Sequence, residues 1–94
     1  MQLKFEWDSK KATSNVQKHG VTFEEASTVL SDVFSITIAD PLHSDVEDRF
    51  VTIGLSDKQR LLVVVHTDRE SMVRIISARI ATTHERKKYE KCRH

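Results

Sequence analysis

At 94 residues the chain has room for one compact unit or a piece of a larger one, which excludes most multi-site enzymes. Its 38% hydrophobic and 31% charged residues support a modest core under a densely charged surface, and exclude a disordered chain or a large apolar cofactor cavity. The formal charge of +1 conceals a polarity: residues 1–59 carry 6 basic and 10 acidic side chains, and residues 60–94 carry 9 basic and 4 acidic, giving −4 and +5.

Cys92 is the only cysteine, so no intrachain disulfide can form and a reducing compartment fits best. The longest apolar run, Leu61 to Val65, is too short to span a bilayer, and the N-terminus lacks a secretory pattern. The chain reads as a cytoplasmic domain with no membrane partner. No linker, repeat or low-complexity stretch divides it, so a single domain over 1–94 is expected.

Leu3, Phe5 and Trp7 alternate with Lys4 and Glu6, predicting a short half-buried strand. Asp8 then caps a helix from about Ser9 to His19, with Ala12, Val16 and His19 on one face and Gly20 as a left-handed stop. A second helix follows, with Thr22 and Glu25 at capping-box spacing and an apolar stripe of Phe23, Ala26, Val29 and Leu30. It is expected to stop near Ser31 or Asp32. Phe34, Ile36 and Ile38 alternate with polar or small residues in a strand that Pro41 ends, and Asp40 to Asp48 reads as an acidic loop. Phe50, Val51 and Ile53 mark the next strand, ending near Gly54, and Ser56 to Gln59 is turn chemistry.

Leu61 to Val65 is apolar on both faces, the pattern of a central strand covered on each side. Asp68 to Ser71 turns the chain into a strand from Met72 to Ala81, and Thr82 with Glu85 caps a basic C-terminal helix. The predicted order is β-α-α-β-β-β-β-α. Its short connections predict an α+β fold, a four-stranded antiparallel meander with two N-terminal helices and one C-terminal helix.

Five histidines, at 19, 43, 66, 84 and 94, show no pair at ligand spacing, so neither a metal site nor a cofactor is expected. No Gly-rich phosphate loop or nucleophile elbow occurs. Cations remain. Arg74 and Arg79 lie inside an apolar strand, where each needs a carboxylate or an anionic ligand. Strict alternation turns them to opposite faces: Arg74 toward substrate, Arg79 toward the helices and a carboxylate such as Glu24 or Glu25. A hairpin turn of two residues sets Thr67 against Arg74, and one of three sets His66 there. Such a pair can hold a phosphate with Arg while His moves a proton, or be no more than a polar strand end. Lys18 and His19 read either as a helix C-cap or as site residues. Arg49 reads as a surface partner of Glu47 and Asp48, or as a phosphate ligand. Arg86, Lys87, Lys88, Lys91 and Arg93, with Tyr89, form a solvated helix or a nucleic-acid footprint. No basic recognition helix of a helix-turn-helix is visible.

Phe5-Glu6-Trp7-Asp8, Lys18-His19-Gly20-Val21, Phe23-Glu24-Glu25-Ala26, Glu47-x-Arg49, Ile53-Gly54, Arg74-Ile75-Ile76-Ser77-Ala78-Arg79 and Glu85-Arg86-x-x-Tyr89 together resemble the BrnT toxins of bacterial type II toxin–antitoxin pairs. The resemblance covers nearly the whole chain. It implies a fold similar to RelE-type ribonucleases and a metal-independent RNA cleavage that arrests translation. It also implies a BrnA-type ribbon-helix-helix antitoxin, room for dimerisation within that complex, and operator DNA reached only through the antitoxin. By the same likeness Lys18, His19, Arg49, His66, Arg74, Arg79 and Tyr89 are site candidates. His66 or His19 is expected to transfer the proton, Arg74 and Arg49 to hold the phosphate, and Lys18, Arg79, Arg86, Lys87, Lys88, Tyr89 and Lys91 to bind RNA. A non-catalytic module that holds RNA or an antitoxin is the alternative.

Overall fold

The computed structural model describes residues 3–40 and 48–92. The elements follow the expected order: β1 (Lys4–Glu6), α1 (Ser9–His19), α2 (Phe23–Val29), β2 (Ile36–Ala39), β3 (Arg49–Leu55), β4 (Leu61–Arg69), β5 (Met72–Ile80) and α3 (Thr83–Cys92). Pro41, His43, Glu47, Arg93 and His94, with most of the acidic loop, lie outside the described residues.

The sheet corrects one expectation. It has five strands in the order β1-β5-β4-β3-β2, and β1 runs parallel to β5 with Glu6 opposite Arg74. The antiparallel meander covers only β2 to β5. Tertiary packing supplies the reason: Phe5 and Trp7 pack against the core beneath α1 and α2, and that places Lys4 to Glu6 at the free edge of β5. β2 also starts later than the alternation implied. Asp32 Oδ1 accepts the Phe34 N–H at 3.0 Å and holds that residue in a turn, where it is 44% exposed.

β4 is central, as its two-faced apolar run predicted, and separates two layers. Leu62 and Val64 join Ile75, Ala78, Val21, Phe23, Ala26 and Val29 under α1 and α2. Leu61 and Val63 join Ile53 and Tyr89 under α3. Burying each of the larger side chains contributes about 1.5–3 kcal/mol. Gly54 lets α2 approach: a Cβ there would meet Val29 Cγ1 at 2.9 Å. Asp8 Oδ1 accepts from the Lys10 and Lys11 N–H groups to start α1, and Gly20, at φ +66°, ends it. The residue of α1 that is buried is Asn15, whereas Val16 is 43% exposed. Asn15 donates to the Val21 and Ala78 carbonyls and accepts the Ala78 N–H, which ties α1 to β5 through a polar group with every partner supplied.

The two capping boxes differ. Thr82 and Glu85 exchange both hydrogen bonds, at 2.9 and 3.2 Å. Thr22 caps Glu25 N–H, but the Glu25 carboxylate turns away to Arg60 Nε at 2.9 Å and Ser56 Oγ at 2.7 Å. The Arg60 hydrogen bond, partly opposed by burial, holds that carboxyl below its usual range. Glu25 therefore pairs with Arg60, not with Arg79.

Candidate active site

β5 contains a bulge. Val65 faces Ser77 but His66 faces Ile75, so Ile76 is an extra residue and the alternation resets across it. Arg74 and Arg79 consequently share one face, the α3 side, where strict alternation had put them apart. Arg79 lies opposite Val63 in the part that α3 covers, and donates to both Glu85 oxygens at 2.7 and 2.8 Å. That bidentate contact, against the cost of burial, lowers the Glu85 carboxyl to about 2. Arg79 thus joins the sheet to the first turn of α3, and its carboxylate comes from that helix.

Arg74 lies at the other end of the same face, its side chain 45% exposed. The two-residue turn Glu70-Ser71, with Glu70 at φ 53°, sets Thr67 opposite Arg74. Thr67 is in turn opposite Arg49, and Arg74 opposite Glu6. Glu6, Arg74, Thr67 and Arg49 therefore form one row across four strands, with neighbours about 4.8 Å apart. Glu6, Thr67, Arg69, Met72 and Arg74 line a cleft of about 200 Å³. Arg74 and Glu6 are about half exposed and meet at 3.4 Å, at the limit of a hydrogen bond. The Arg74 charge also reaches Asp8, whose carboxyl is lowered first by the Lys11 N–H.

The remaining candidates lie elsewhere. His66 points to the opposite face, is 2% exposed and stacks on Phe50 at 6.0 Å. Its Nδ1 lies 2.6 Å from Asp68 Oδ1 and its Nε2 2.7 Å from Thr52 Oγ1, so both ring nitrogens are engaged. Pleat parity separates it from Arg74. Lys18 and His19 end α1, next to the Gly20 carbonyl that accepts from Arg60, just before β4. The arginine row crosses the far end of β4, so this pair does not join it. Tyr89 is 3% exposed and donates to Asp32 Oδ2 at 2.5 Å, which makes it an anchor of α3 and not a surface stacking platform. Arg86, Lys87, Lys88 and Lys91 are exposed, and His84, Lys87, Lys88 and Lys91 form one basic stripe along α3. Among the described residues, no three His, Cys, Asp or Glu side chains converge as a metal centre needs, and no helix is long and apolar enough to cross a membrane.

A family model described as the ribonuclease toxin BrnT of a type II toxin–antitoxin system matches residues 7–85. The chain belongs to the BrnT family. The crystal structure of the Brucella abortus ribonuclease toxin BrnT matches with a TM-score of 0.63 and 26% identity, over 87% of this chain and all of that one. No curated protein matches. In this BrnT-family chain the matched span includes Arg49, Thr67, Arg69 and Arg74, whereas Glu6 and Tyr89 lie outside it. The sequence flagged Arg49 and Arg74 but missed Arg69 and Glu6. Their signal was available only as hairpin register and as the pairing of β1, neither of which local periodicity reports.

Proposed function

We propose that this BrnT-family chain is an endoribonuclease toxin of a type II toxin–antitoxin pair, cleaving RNA without a metal ion and so arresting translation. The observation that carries the reading is the row Arg49–Thr67–Arg74 across one end of the sheet. Guanidinium groups hold phosphate oxygens in planar, charge-assisted contacts, and fixed positive charge stabilises the pentavalent transition state. Arg74 and Arg69 in the cleft would grip the scissile phosphate, Arg49 a neighbouring one, and the α3 lysines the strand beyond. In this reading the RNA 2′-hydroxyl attacks the adjacent phosphate, leaving a cyclic phosphate and a free 5′-hydroxyl. The molecule would act in the cytoplasm as one toxin domain on a RelE-type scaffold. A BrnA-type ribbon-helix-helix antitoxin would neutralise it, with operator DNA reached only through that partner.

Purified chain incubated with RNA and EDTA tests the proposal. Cleavage with cyclic-phosphate ends, suppressed by the antitoxin, is the expected result; activity that EDTA abolishes and a divalent ion restores would overturn the metal-independent route. One observation favours a second reading, a module that binds RNA or antitoxin without chemistry. The cleft holds no imidazole among the described residues. Binding without cleavage would decide for it.

A further inference from the structure

On the ribonuclease reading above, we propose that Glu6 is the proton acceptor for the attacking 2′-hydroxyl, paired with Arg74 as the phosphate anchor. Phe5 turns into the core, so the pleat presents Glu6 to the cleft, directly opposite Arg74. Among the described residues that line the cleft it is the carboxylate, beside Thr67, Arg69, Met72 and Arg74. Its contact with Arg74, 3.4 Å and single, contrasts with the two bonds of 2.7 and 2.8 Å that bind Arg79 to Glu85. A phosphate can therefore take Arg74 over without breaking a tight pair, leaving Glu6 beside the reacting ribose.

The alternatives nearby are committed. Asp8 caps α1 through Oδ1, and those hydrogen bonds weaken it as a base. Asp68 is bonded to His66, whose ring nitrogens are both engaged on the other face. Among the described residues, the charged groups on the side of Glu6 are Arg74 on β5, Arg69 and Arg49 further across the sheet, and Lys4 and Asp8 on its own segment.

The step balances without a co-reactant beyond water. Glu6 takes the 2′-hydroxyl proton as the 2′-oxygen bonds to phosphorus. The bond from phosphorus to the 5′-oxygen breaks with its electron pair on that oxygen, which takes a proton from a water molecule. The hydroxide so formed removes the proton from Glu6.

Steady-state cleavage of an RNA oligonucleotide by the full chain is the test, with melting curves for every variant. Glu6→Gln is expected to melt like the parent and lose roughly 10²–10⁴-fold in kcat with KM little changed. The fall in rate toward low pH that a carboxylate base imposes should vanish with it. Glu6→Asp should stay folded with kcat at least roughly 10-fold below the parent and the acid limb retained. Parental kcat in Glu6→Gln, or in Glu6→Asp should the first variant melt early, overturns the proposal. So does an unchanged acid limb in Glu6→Gln. Arg74→Ala separates the two levels. If it is inactive while Glu6→Gln cleaves normally, Glu6 falls and the arginine site stands. If Arg74→Ala cleaves at the parental rate, or the parent cleaves no RNA, the site reading fails and the role of Glu6 fails with it.

Discussion

One face of the sheet is built in two contrasting halves. Under α3, rows of Ile53, Leu61 and Val63 are sealed by Tyr89, and Arg79 there is gripped by both oxygens of Glu85. At the other end of that face lie Glu6, Arg74, Thr67 and Arg49, and the Arg74–Glu6 contact is single and long. Two arginines on one strand and one face thus have opposite fates: one saturated by its own helix, one left able to take an anion. The contrast teaches that the residue type alone does not mark the site. What marks it is whether the fold supplies the partner.

Five measurements can break or sharpen that contrast. The largest effect is expected for Arg74→Ala, which should lose roughly 10²–10³-fold in cleavage while melting within about 1 kcal/mol of the parent. Next comes the covered half. Tyr89→Phe removes a buried donor to the Asp32 carboxylate and should cost about 2 kcal/mol, read by denaturant melts, with cleavage unchanged where the protein is folded.

Arg79→Ala should cost less, about 1 kcal/mol, because its side chain is 41% exposed and solvent screens the pair. Folded but inactive Arg79→Ala would join the two halves into one site and undo the comparison. The same pair sets a pH dependence. The Glu85 carboxyl is lowered in the fold from 4.5 to about 2, so its stabilisation is fully present above pH 4.5 and is lost as acid approaches pH 2. Melts of the parent and Glu85→Gln should differ at neutral pH and converge through that window. The smallest effect belongs to α3: replacing Lys87, Lys88 and Lys91 with Ala should flatten the salt dependence of RNA binding, by a slope of roughly 0.7 per lost phosphate contact. An unchanged slope would place that stripe outside the RNA path.

Local chemistry was legible in the chain itself. Asp8 and Gly20 bracket α1, Thr82 and Glu85 start α3, and the two-faced run Leu61 to Val65 marks the central strand. Each of these rests on contacts between residues a few positions apart, or on a pattern that burial on both sides requires. Arg74 was visible as a cation inside an apolar strand, which a sheet does not hold without reason, and Arg49 as a cation beside the acidic loop. Tertiary structure alone decided the rest. β1 crosses to the free edge of β5, because Phe5 and Trp7 find their apolar contacts beneath the helices, and only that pairing brings Glu6 to Arg74. One extra residue at Ile76 reverses the parity of β5 and returns Arg79 to the face of Arg74, while His66, two residues from Asp68, is turned inward. Parity and pairing are properties of strands far apart in the chain, so a periodicity of two predicts that faces alternate but not which face, or whose neighbour, each residue becomes.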